Sequence, residues 1–95
     1  MDDSFVFAAF RSRQQMLEFE GKLREACIAT RIITTPPALA QGCGLSIRMN
    51  EECYPQARAI VEGYRPHSFL GFYRANTQGG RVRYEPLMKR TGGGQ

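Results

Sequence analysis

The tripeptide Gly42-Cys43-Gly44 is where this sequence concentrates its chemistry. A cysteine acts as its thiolate, the form that attacks or carries another atom. Glycines on both sides remove bulk and permit backbone conformations closed to other residues, leaving the sulfur open and letting backbone N–H groups approach it. The same string also suits an ordinary hairpin loop, with glycine serving the turn and cysteine incidental. Spacing alone leaves both readings open. Arg48 on the segment after Cys43 and Arg31 on the segment before it are candidate supports for a thiolate. Both fall on alternate positions away from Ile32, Leu45 and Ile47, where solvated sheet-face charge is the ordinary outcome.

Two more cysteines, Cys27 and Cys53, make an odd count with no Cys-x-x-Cys pair. The start Met1-Asp2-Asp3 is acidic, unlike a secretory signal, so free thiols and a cytoplasmic location are expected. Cys27 and Cys53 are second thiols by type, but burial as small hydrophobes is the expectation for each. His67 is the single histidine and has no Cys or His within four residues, so neither a metal site nor a bound cofactor is expected. No Ser/His/Asp set, carboxylate pair or phosphate-cradling loop is visible, which argues against an enzyme with its own turnover.

The elements that must position Cys43 read clearly. Residues 4–10 are apolar on both faces, as in a central strand. Ser12 and Gln15 form a Ser-x-x-Gln capping box, and Met16, Phe19, Leu23 and Ala26/Cys27 recur at helical spacing. The β-branched run 28–34 predicts a strand, closed by Thr35-Pro36-Pro37. Residues 44–49 alternate, with Leu45, Ile47 and Met49 on one side. Asn50, Glu51 and Glu52 suit the start of a second helix, regular from near Tyr54, with Ala57, Ile60, Val61 and Tyr64 as its apolar stripe. Residues 68–74 predict a fourth strand. The order β-α-β-β-α-β predicts an α+β, ferredoxin-like sandwich, a four-stranded antiparallel sheet with both helices on one face.

A single domain of residues 1–74 is expected, followed by a basic, glycine-rich flexible tail, 75–95, in which a short edge strand is the alternative. The net charge of +4 divides unevenly: residues 1–74 carry +1 and the tail +3. A nearly neutral globular part weakens any inference from charge to nucleic acid. No apolar run is long enough for a membrane span.

The run Thr35-Pro36-Pro37 to Gly42-Cys43-Gly44-Leu45-Ser46-Ile47-Arg48 resembles the hallmark of the Se/S carrier-like family of small proteins. There a strand ending in proline leads through a small-residue loop into Cys-Gly and an alternating strand. The similarity extends to Phe10-Arg11-Ser12 and Glu25-Ala26-Cys27-Ile28, and covers residues 4–74. Cys27 departs from the glycine expected at that helix end. The resemblance implies that Cys43 holds sulfur or selenium as a persulfide or selenopersulfide. Its partners would be a donor, such as a cysteine desulfurase, and an acceptor protein.

Two rival classes remain at this stage. A dimeric regulatory domain would use Cys43 structurally. An RNA-binding module would stack bases on Phe5, Phe7, Phe69 and Tyr73 near Arg31 and Arg48, although the third strand lacks the required aromatics. Gly92-Gly93-Gly94 is followed by Gln95, unlike ubiquitin-like sulfur donors that end on Gly-Gly.

Overall fold

A computed structural model describes residues 3–40 and 44–89. It shows an α+β fold of five antiparallel strands and two helices. The strands are β1 (Asp3–Phe10), β2 (Arg31–Thr34), β3 (Leu45–Met49), β4 (Phe69–Gln78) and β5 (Arg81–Lys89), in spatial order β2-β3-β1-β4-β5. The helices are α1 (Arg13–Glu25) and α2 (Tyr54–Tyr64). Short 3-10 turns lie at Pro37–Leu39 and Glu51–Cys53.

Val6, Ala8 and Phe10 of β1, Ile47 and Met49 of β3, and Phe72 of β4 meet Met16, Phe19 and Leu23 of α1 and Ala57 and Val61 of α2 in one buried cluster. Both helices therefore serve one face of the sheet. The opposite face has its own smaller cluster of Phe7, Ala9, Tyr73 and Ala75. This second cluster explains why residues 4–10 are apolar at every other position as well.

The sheet has five strands where the sequence predicted four. Residues 75–89, expected as mobile chain, supply the end of β4 and all of β5. Gly79 and Gly80 sit at φ 56° and 79° between the paired Gln78 and Arg81. Positive φ at both central residues is the requirement of a tight hairpin turn whose twist matches its strands. What reads as flexible composition is hairpin chemistry. Arg74 holds this hairpin to the body, donating to Glu85 on β5 (2.9 Å) and to Glu51 before α2 (3.0 Å).

The helix ends differ in detail from expectation. Ser12 caps α1, its hydroxyl accepting from the Gln15 N–H at 3.2 Å. The reciprocal half of the capping box is not made: the Gln15 amide oxygen accepts from the Ser68 N–H at 2.8 Å, joining α1 to the connector before β4. β2 begins at Arg31, not at residue 28, because Ile28 completes the end of α1. Its N–H donates to the Leu23 carbonyl (3.0 Å), the Cys27 N–H donates to the Arg24 carbonyl (2.9 Å), and Cys27 has φ 64°. That is the Schellman arrangement, with Ile28 and Leu23 in the helix-side core as its apolar contact. The Tyr64 phenol donates to the Glu18 carboxylate and ties α2 to α1. That bond, reinforced by burial and the nearby negative charge, pushes the Tyr64 pKa up to about 12.

Candidate functional site

The hairpin β2–β3 carries the loop 35–44, and its described feet are firmly held. The Thr35 N–H donates to the Gly44 carbonyl at 2.8 Å. The Thr35 and Ser46 hydroxyls share a 2.6 Å hydrogen bond, and both residues are buried. A hydroxyl pair in a buried sheet satisfies two groups that would each be costly alone. Further into the loop, the 3-10 turn at Pro37–Leu39 follows Pro36 and starts on Pro37, whose fixed φ suits that position. Leu39 from this turn packs against the cluster of Phe7, Ala9, Tyr73 and Ala75. Gly44 has φ 73°, and a Cβ there would meet nothing within 4 Å, so glycine is required by backbone conformation and not by crowding. Gly42 and Cys43, the other two members of the predicted site, lie outside the described residues.

Arg31 and Arg48 are directly opposite one another on β2 and β3. They share the sheet face away from the helices, as the alternation predicts. Their rung lies three residues from the Thr34–Leu45 rung that leads into the loop. At about 3.3 Å per residue the separation along the strands is roughly 10 Å. The Arg48 guanidinium lies over the Phe5 ring, 4.1 Å from its centroid. The structure thus brings the two arginines together, at the end of the hairpin remote from the loop.

Of the other thiols, Cys27 is exposed, contrary to the expected burial, because its left-handed backbone at the helix end turns it out of the core. Cys53 is half-buried and packs against the helix-side core. His67 is exposed on the connector before β4. Among the described residues no three His, Cys, Asp or Glu side chains are grouped to hold a metal ion. No described helix is long and apolar enough to cross a membrane.

The four aromatics considered for base stacking are mostly unavailable. Phe69 belongs to the helix-side core, Phe7 is fully buried and Tyr73 nearly so. Phe7 stacks on Tyr73 (centroids 5.5 Å apart) and meets the edge of Tyr84 from β5. Thr35, Leu39 and Ser46, which anchor the loop, were not singled out by sequence reasoning. The one available signal was Leu39, an isolated large apolar residue in a loop of small ones.

No curated protein and no solved structure matches this chain significantly. A protein-family model does, over residues 5–74, a span that runs from β1 into β4 and includes the whole loop. On that match the chain belongs to the family described as "Putative Se/S carrier protein-like".

Proposed function

We propose that this protein is a relay carrier that holds one sulfur or selenium atom on Cys43, as a persulfide or selenopersulfide, and passes it to an acceptor protein. The observation that carries the reading is the family match across residues 5–74, which spans the Gly42-Cys43-Gly44 loop. The described anchors support it. A loop pinned at Thr35, Gly44 and Ser46 and packed through Leu39 has a fixed base. The strand order β2-β3-β1-β4 with both helices on one face supports reading the domain as ferredoxin-like with one strand added.

The transfer is thiol exchange. The Cys43 thiolate attacks the outer sulfur of a donor persulfide; a new S–S bond forms at Cys43 and the donor's S–S bond breaks. The donor leaves as a thiolate with the bonding electron pair. Release to the acceptor repeats the step with Cys43 as the leaving group. No external oxidant is consumed, and no bound cofactor is needed. The selenium version exchanges the outer selenium of a selenopersulfide in the same way.

Incubation with a cysteine desulfurase and cysteine, followed by intact-protein mass spectrometry, tests this. Wild type and the Cys27→Ser and Cys53→Ser variants should gain a single sulfur, and Cys43→Ser should gain none while remaining folded. Equal loading of all three single variants, or loading of none including wild type, would refute the proposal.

A further inference from the structure

β2 is an edge strand, paired only with β3. Its outer backbone groups have no strand partner among the described residues, and three of its four residues are exposed. On the helix side it displays Ile32, 44% exposed, one of the few large apolar side chains so placed. On the other side it displays Arg31, directly beside Arg48. Two like charges facing across a ladder destabilise it. Neither arginine has a carboxylate within ion-pair distance among the described residues. Glu20, near the start of β2, is already committed to Thr30 (3.0 Å) and Arg24 (3.0 Å). Arg48 is held in place by the Phe5 ring. An open, polar groove of about 300 Å³ runs here, lined by Ala29, Thr30, Arg31, Arg48, Met49 and Asn50.

The opposite edge is built differently. β5 is longer, but it carries Pro86, and its register with β4 shifts next to that residue; proline and bulges are both ways to blunt an edge. β2 has no proline within it and stops at Thr34, too short for indiscriminate pairing.

We infer that the free edge of β2 is the docking strand for an acidic, extended segment of a partner protein. Strand addition supplies main-chain hydrogen bonds, and alternate side chains supply specificity. A segment that alternates acidic and apolar residues places a carboxylate beside Arg31, on the face it shares with Arg48, and an apolar side chain beside Ile32. A guanidinium accepts a carboxylate bidentately, so the segment also relieves the uncompensated charge. A second copy of this chain fits poorly, because its own β2, Arg-Ile-Ile-Thr, brings no carboxylate. RNA fits poorly because Phe7 and Tyr73 on this face are buried. The partner is taken from the carrier reading, as the protein that gives or receives the chalcogen. β2 leads into the loop that contains Cys43, so the docking strand and the carrier loop belong to one hairpin.

The test does not depend on loading. The full chain, labelled with ¹⁵N, is titrated at low salt with a short synthetic peptide of alternating glutamate and valine. The amide signals of residues 31–34 should shift. The same peptide with lysine for glutamate should leave them unmoved. Arg31→Glu should weaken binding on the order of tenfold without lowering the unfolding temperature, since it replaces a like-charge pair with an opposite one. Cys43→Ser should bind as wild type, so that loss of loading and loss of docking are separate results. The inference is overturned if residues 31–34 do not respond, or if the lysine peptide acts equally. It is also overturned if Arg31→Glu binds as wild type, if an oligouridylate alone moves these signals, or if the free chain already dimerises through β2.

Discussion

Cys27 occupies a left-handed backbone position, φ 64°, that costs an L-residue roughly 1–2 kcal/mol. The hydrogen bonds of Cys27 and Ile28 to the end of α1 and the burial of Ile28 hold it there. Glycine adopts this conformation freely but loses more entropy on folding, which offsets part of the gain. Cys27→Gly should therefore stabilise the protein by about 0.5–1 kcal/mol, read as a higher urea midpoint at unchanged slope. A lower midpoint would mean that the cysteine side chain makes a favourable contact of its own. At Glu51, the Ser4 hydroxyl above all holds the carboxyl below the usual glutamate range; burial opposes it, and the Arg74 guanidinium adds to the lowering. A depressed folded-state pKa adds stability that is present above the unfolded pKa and lost as pH falls through the folded one. Glu51→Gln should then cost less than about 1 kcal/mol near pH 7, because the site is partly solvated. The difference from wild type should close on acidification through the carboxylate range. A difference that persists there would assign the effect to packing.

At the scale of the element, the β4–β5 hairpin changes the picture most. Leu87 and Met88 pack against the helix-side core, and Tyr84 covers Phe7 on the other face, so β5 seals both sides of β4. Tyr84→Ala should cost about 1–2 kcal/mol by loss of ring contact and exposure of Phe7, measured by thermal unfolding. An unchanged midpoint would show that β5 is peripheral. This strand was half legible: Val82 and Tyr84 alternate with Arg81 and Arg83, but two glycines and a basic composition resemble a tail. Glycine gives the same compositional signal in a mobile chain and in a turn that needs positive φ. The register across Gly79-Gly80 decides between them, and that is a property of the paired strand. The first four strands and both helices were legible from apolar and β-branched runs, from the alternation at 44–49 and from the helical spacing of the apolar residues. The false half of the capping box was not, since Gln15 found a better donor in Ser68, 53 positions away.

Across the whole molecule, a two-faced sheet holds helices on one side and, on the other, a small aromatic cluster under Leu39 and Tyr84. The hairpin β2–β3 forms one side of this sheet, with its loop anchored through Thr35, Gly44 and Ser46. Gly42-Cys43-Gly44 could be picked out from residue type, but its supports could not. Thr35 and Ser46 meet only once β2 and β3 pair, and Leu39 finds its place only against side chains from β1 and β4. Arg31 and Arg48 were legible as sheet-face charges, and their direct juxtaposition required the register. The central claim is that Cys43, alone among three thiols, carries the chalcogen. Trypsin separates the three: cleavage after Arg24, Arg31, Arg48 and Arg58 leaves Cys27, Cys43 and Cys53 on different peptides. The measurement is tandem mass spectrometry of those peptides after loading by a desulfurase and trapping with an alkylating agent. Alkylated persulfide confined to the peptide 32–48 is the predicted result. The same adduct on 25–31 or 49–58 at comparable yield, or on none of the three, would contradict it.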